Sequence, residues 1–254
     1  MVAKPVTDPL AGCTGAVLHG PGVAAVATLP ALLPELRLLR PRDAADSRAD
    51  VVLAWGRKPS ALRAEAWARS QGLPIRWLED GFLRSVGLGP DEPPLSIVVD
   101  DEGIYYDASG PSRLESLVLA GVDAAGQGRA EALVAQWREA RASKYNQARE
   151  IPGLVRDGDV LVVDQTFGDA SIAFGAASPA SFTRMLEAAL DEHPAARILL
   201  KVHPDVLAGR KRGHFAGLPP GAAARVLMVA SPAHPPGLAW IGPSRETAHA
   251  ARRC

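Results

Sequence analysis

Short apolar runs closed by turn residues alternate along this chain with longer segments of helical period, and that alternation constrains the fold more than any other feature. The runs at 15–18, 51–55, 75–78, 95–99, 160–163 and 198–202 have the length of buried strands. Between them, residues 60–71 open with Ser60 in the N-cap place and put Leu62, Ala66 and Ala68 toward one side. Residues 128–142 carry Leu133, Val134 and Trp137 at helical spacing, and residues 179–192 place Phe182, Met185, Leu186 and Ala189 on one face. The expectation is an α/β protein with mainly parallel strands.

One β-hairpin is expected inside this pattern, where the turn Asp100-Asp101-Glu102-Gly103 leads into Ile104-Tyr105-Tyr106. Pro152, Gly153 and Gly158 mark 149–159 as a linker, which predicts a first domain over 1–150 and a second over 158–230. Residues 231–244 hold four prolines without periodicity and 246–254 form a short Arg/Ala/His tail, so 231–254 is expected to be irregular. The second domain is then incomplete, stopping after two strands.

With 28 basic and 28 acidic side chains the net charge is zero, which gives no large footprint for a nucleic-acid backbone and leaves room only for a local basic patch. Cys13 and Cys254 make no disulfide framework, and no Cys/His spacing resembles a zinc site, which places the chain in a reducing compartment by default. The apolar stretch 11–33 is broken by His19, Pro21 and Pro30 and reads as core, not as a membrane anchor or secretion signal. A membrane contact is expected to be peripheral and from the cytoplasmic face.

Three polar clusters follow expected strands, where open α/β sheets bind ligands. Glu79-Asp80-Gly81 follows the run 75–78, and one of its carboxylates could serve as general base to a substrate hydroxyl; an acidic turn is the alternative. After 160–163, Asp164-Gln165-Thr166-Phe167-Gly168-Asp169 with Ser171 offers a loop carboxylate suited to a nucleophile or a stabiliser of cationic charge. The alternative there is Asp169 as a helix N-cap. In Lys201-Val202-His203-Pro204-Asp205 the proline stops the strand and holds lysine and imidazole at the rim, where both could serve a departing phosphate.

Weaker signals get plainer readings. Asp157-Gly158-Asp159 has the D-x-D pattern of a metal site but reads as a turn, and Gly87-Leu88-Gly89 is too short for a dinucleotide loop. The run 210–213 reads as a solvated basic patch, with an anionic substrate or lipid headgroup as the lesser reading. Ser143-Lys144-Tyr145-Asn146 is a helix cap or a sugar contact.

Taken together, the strings WGRKPS at 55–60, LEDGFLRSVGLG at 78–89, PPLSIVVDDEGIYYDAS at 93–109, SKYN at 143–146, VDQTFGDASI at 163–172 and KVHPDVLAGRKRGHF at 201–215 resemble the capsule polysaccharide biosynthesis proteins of the KpsC type. The resemblance runs in order over residues 15–230. It implies a GT-B-like pair of Rossmann-like domains, with acceptor on the first and the donor CMP-Kdo on the second. The implied activity is a retaining transfer of Kdo to a lysophospholipid-linked Kdo acceptor, for a capsule that is then exported.

By the same resemblance Asp169 is the catalytic carboxylate, Glu79 the acid/base and His203 a contact to the CMP phosphate. Lys201, Pro204, Gln165 and Thr166 are expected beside them on the donor, and Asp80, Arg84, Ser85 and Lys144 on the acceptor side. No metal and no resident cofactor are implied, since a monophosphate leaving group carries less charge than the diphosphate that D-x-D enzymes neutralise. The implied partners are CMP-Kdo, the lipid-linked acceptor, the cytoplasmic membrane surface and the capsule export complex, with no nucleic acid. The family pattern continues past the His-Pro string with T-S-x-x-G-F-E-A-L-L, whereas 231–254 reads as a shifted frame or premature end. A catalytically inactive fragment acting as a binding module is the alternative reading.

Overall fold

The continuous apolar run at 51–55 becomes a central strand buried on both faces, as a parallel sheet covered by helices requires. A computed structural model describes residues 7–43, 48–87, 89, 92–146, 153–207, 209–215, 217–218, 221–229 and 239–241. The chain divides into two compact units, Met1–Gln147 and Ala148–Cys254.

The first unit runs β1 (Gly15–Leu18), α1 (Pro21–Ala24), α2 (Leu29–Leu32), β2 (Arg37–Leu39), β3 (Val51–Trp55), α3 (Pro59–Ser70), β4 (Ile75–Asp80), β5 (Ile97–Asp100), α4 (Arg113–Ala120) and α5 (Ala124–Ala140). Its sheet order is β2-β1-β3-β4-β5, parallel except for β5 against β4. The chain leaves β1 on one side for β2 and returns on the other for β3, a reversal of the kind that opens a crevice at the carboxyl ends of strands. Leu29, Leu53 and Leu78 pack on one face, and Val52, Ala54 and Trp77 on the other beneath α3.

The second unit runs β6 (Val160–Val163), α6 (Ala170–Phe174), α7 (Pro179–Glu192), β7 (Ile198–Lys201), α8 (Pro204–Leu207), β8 (Val226–Val229) and β9 (Ala239–Ile241). All four strands are parallel in the order β8-β7-β6-β9, so the reversal here falls between β6 and β9. Phe182, Met185, Leu186 and Ala189 bury the expected face of α7 on this sheet.

Several expectations need correction. The α3 helix starts at Pro59 with Lys58 as N-cap, because proline at the first position presets the helical φ and moves the start ahead of Ser60. Its buried face is Ala61, Ala64 and Ala68, while Leu62 and Ala66 are exposed: the small stripe lets the helix approach the sheet closely. No hairpin forms at 100–106. Asp100 Oδ1 accepts from the amides of Glu102, Gly103 and Arg113, which curls the chain away from a ladder, and β5 pairs with β4 instead.

Among the described residues the second sheet has four strands where two were expected, and β9 lies inside the segment expected to be irregular. Its Ala-Trp-Ile triplet needs no long run, since a three-residue edge strand keeps every amide and the prolines flank it. Residues 149–152 of the expected linker, and the rest of 231–254, lie outside the described residues.

Candidate functional site

In the second unit Val163 pairs with Lys201, so β6 and β7 end level and their following loops share one edge of the sheet. The first loop turns through Gly168, at φ 79°, and brings Asp169 round as N-cap of α6. Asp169 Oδ1 accepts from the Ser171 amide at 2.9 Å and the Ser171 hydroxyl at 2.7 Å, which leaves Oδ2 unengaged among the described residues. The residue is exposed. The cap and the chemistry are thus compatible, one oxygen for each.

On the neighbouring loop His203 Nδ1 accepts from the Asp205 amide at 3.1 Å. An amide can only donate, so the neutral ring carries its proton on Nε2. Burial pushes the His203 pKa down, Lys211 and Arg210 act the same way, and the charges of Asp205 and Asp169 oppose them. The result is a neutral imidazole with an Nε2–H donor in the field of Asp169. Lys201, at the end of β7, is partly buried, and that burial draws its pKa down. Pro204 opens α8, two residues after the last strand bond, from the Val202 amide to the Val229 carbonyl.

Gln165 and Thr166 lie on the Asp169 loop. Gln165 Oε1 accepts from the Thr166 amide at 3.1 Å, and Thr166, itself buried, gives its carbonyl to the Asp169 amide at 3.2 Å. The basic run 210–212 is more organised than a solvated patch: Arg210 pairs with buried Asp205 at 2.7 Å, Lys211 stands 3.6 Å from the same carboxylate, and the Arg212 guanidinium lies 4.4 Å over the Phe167 ring.

Asp164, from the polar cluster after β6, and His214, which sequence reasoning did not single out, hold these loops together. His214 and Asp164 are almost wholly buried, with Nδ1 3.1 Å from Oδ1 and the imidazole stacked on Phe182 at 3.9 Å. At Gly213 a Cβ would come 2.3 Å from Asp164 Oδ2, so only glycine permits the approach. The Gly-His pair is the one signal in the sequence that could have marked this clip. Beside it opens a cleft of about 540 Å³ lined by Phe167, Pro179, Thr183, Arg212, Gly213 and Phe215.

In the first unit β4 continues to Asp80 because β5 carries its ladder on, while its parallel neighbour β3 ends at Trp55, opposite Leu78. Glu79 and Asp80 therefore overshoot β3 at the rim. Burial pushes the Glu79 pKa up and the adjacent Asp80 adds to this; the Asp80 amide, Lys144 and the Trp55 side chain pull it back. A carboxyl so placed holds its proton more tightly than an exposed one, which favours its use as a base toward a nearby hydroxyl. The Tyr106 hydroxyl, which sequence reasoning also did not single out, lies 3.4 Å from Glu79 Oε2.

Asp80 pairs with Arg84 at 2.8 Å, and Arg84 continues to the carbonyls of Glu92 and Gly89. Ser85 gives its hydroxyl to the Gly87 carbonyl. Arg84 and Ser85 are buried and bonded within their own loop. The amides of Arg84 and Ser85 both donate to the Lys144 carbonyl, and Asn146 Nδ2 donates to the Ser85 carbonyl, which anchors the SKYN string beside this rim. Among the described residues no group of three or more His, Cys, Asp or Glu side chains is placed to hold a metal ion.

A family model described as capsule polysaccharide biosynthesis protein matches residues 50–149 and 131–228. The capsule polysaccharide modification protein LipA of Neisseria meningitidis serogroup B is 41% identical over 206 residues, which cover 78% of this chain and 29% of that protein. The lipopolysaccharide-processing protein LpsZ of Rhizobium meliloti is 38% identical over 157 residues, 59% of this chain and 36% of its own. The chain thus spans about a third of the length of these relatives or less.

Among solved structures, the β-Kdo 2,4 transferase of Thermosulfurimonas dismutans KpsC matches with a TM-score of 0.75 at 37% identity, covering 86% of this chain and 68% of that one. The β-Kdo 2,7 transferase of the same KpsC matches with a TM-score of 0.52 at 26% identity, covering 76% and 62%. With a family model covering the strings on which the resemblance stood, and with Rossmann-like sheets matched by a KpsC structure, the chain belongs to the capsule polysaccharide biosynthesis family, of KpsC type.

Proposed function

We propose that the protein transfers Kdo from CMP-Kdo to a lipid-linked Kdo acceptor with retention of anomeric configuration. The observation that carries this reading is that β6 and β7 end level, so that the loops bearing Asp169 and His203 leave the same edge of a parallel sheet. In the first displacement an oxygen of Asp169 attacks the anomeric carbon, and the bond to the phosphate oxygen breaks so that CMP leaves with the electron pair. The His203 Nε2–H donates to the departing phosphate and Lys201 faces it with positive charge. Gln165, Thr166 and Pro204 are assigned to the same donor.

In the second displacement the acceptor hydroxyl attacks the same carbon, Glu79 takes its proton, and Asp169 leaves as carboxylate. Two inversions give retention. Asp80 and Lys144 are assigned to the acceptor, with Arg84 and Ser85 shaping the loop that presents them. No metal or resident cofactor enters the proposal. Because the acceptor is a lipid, the reaction is placed at the cytoplasmic membrane surface, reached peripherally; among the described residues no helix is long and apolar enough to cross a membrane.

CMP release from CMP-Kdo in the presence of the lipid-linked acceptor tests the reading. Asp169→Ala is expected to lower kcat by about 10³-fold or more. Undiminished turnover in that variant removes Asp169 from the mechanism. Saturable CMP binding by the wild-type chain with no release identifies a binding module instead.

A further inference from the structure

The WGRKPS and IYYDAS strings have no part in the chemistry above, yet the fold brings them together around Glu79. We infer that Tyr106 is the positioning residue for Glu79: its hydroxyl, fixed by the backbone amide of Arg57, directs its single proton to Glu79 Oε2 and so orients the carboxyl that serves the acceptor hydroxyl. The inference rests on the role proposed for Glu79.

The direction of the bond follows from its partners. The Arg57 amide stands 3.0 Å from Tyr106 Oη and can only donate, so the phenol oxygen accepts there and its own proton is left for Glu79 Oε2 at 3.4 Å. That distance is long for an O–H···O bond, so the contact is a weak one that favours the charged carboxylate as its acceptor. Tyr106 stays a donor, because burial and the neighbouring Glu79 charge both push its pKa up.

The rest of the cage holds these atoms in place. Gly56 adopts φ 61°, and a Cβ there would sit 2.9 Å from Tyr106 Oη and 3.1 Å from Glu79 Oε2, so glycine keeps the space between them clear. The orientation of the Arg57 amide is secured by its own side chain, whose Nε meets buried Asp107 at 2.9 Å while the guanidinium lies 4.2 Å over Trp77. The Tyr106 ring is braced edge-on by Tyr105 at 5.4 Å. The charged groups facing Glu79 are Asp80, which raises its proton affinity, and Lys144, which lowers it; the Trp55 side chain adds a second donor.

Tyr106→Phe keeps the ring and removes the hydroxyl. The test is a carbon-13 NMR titration of the Glu-labelled chain, with the Glu79 carboxyl assigned by Glu79→Gln. Loss of a donor to the carboxylate is expected to raise the proton affinity of Glu79 about three- to tenfold. In the Kdo transfer assay the acid limb of the kcat profile is expected to move to higher pH in the same variant, with KM for CMP-Kdo unchanged. An unchanged Glu79 titration in Tyr106→Phe overturns the inference even if no transfer is measurable. Wild-type transfer by Glu79→Gln has a different meaning: it removes Glu79 from the proposed reaction and leaves the Tyr106 bond to be read from the titration alone.

Discussion

At the scale of single residues, His203 owes its proposed role to one backbone amide. The Asp205 N–H occupies Nδ1, so the proton of the neutral ring sits on Nε2, and burial draws the pKa below that of a free imidazole. Removing a preorganised donor to a developing negative charge costs about 10²-fold to 10³-fold in kcat. His203→Ala is expected to fall in that range for CMP release, whereas His203→Gln, which retains an N–H on a side chain of similar reach, is expected to recover part of the loss. Equal rates for the two variants would remove the Nε2–H donor from the account. The strand-end positions of Glu79, Asp169 and His203 were legible in the sequence, because each follows an apolar run. Tyr106 and His214 were not. Each meets its partner only through the fold, 27 residues from Glu79 in one case and 50 from Asp164 in the other, and nothing in local composition announces such a contact.

At the scale of elements, the D-x-D string shows why pattern alone misleads. Asp159 sits in a turn, as expected, but its carboxylate clamps the entry of β6 to that of β7: both oxygens meet the Arg197 guanidinium, at 3.0 and 2.5 Å, and Oδ2 also accepts from the Arg156 amide. Arg197 continues to the Leu154 carbonyl at 2.7 Å. These bonds, led by the one to Arg197, hold the Asp159 pKa below its ordinary value. The folded state therefore binds this proton less tightly than the unfolded chain. The clamp's contribution is fully present above about pH 4 and is lost as pH falls through the lowered value. Asp159→Asn is expected to cost about 1.5–3 kcal/mol at neutral pH in denaturant melts, and less as pH falls; a constant difference from pH 7 to pH 2 would argue against the ion pair as its source. The same lesson holds for α3. Its period was readable, but its register was decided by Pro59 and by how near an alanine stripe can come to the sheet, which are packing outcomes. β9 was hidden for the opposite reason, since three residues carry no period at all.

At the scale of the whole molecule, the alternation of apolar runs and helices specifies parallel sheets, and two such sheets form, each with its own core. Leu29, Leu53 and Leu78 close the core on one face of the first sheet; Phe182, Leu186 and Leu200 fill that of the second. No residue is shared between these clusters, so a cavity cut into one is expected to leave the other intact. Phe182 is the sharper probe because it serves two ends: its ring is fully buried against α7's neighbours, and it stacks on the imidazole of the His214–Asp164 clip. Phe182→Ala is expected to cost about 3–5 kcal/mol. In calorimetry this should lower the transition of the second unit alone, and CMP affinity should fall with it, because the loop carrying residues 209–215 loses its backing. Leu78→Ala is the control, costing about 2–5 kcal/mol and lowering only the transition of the first unit. If both variants shift one common transition by similar amounts, the two cores melt as a single cooperative block, and stability measured in either unit reports on both.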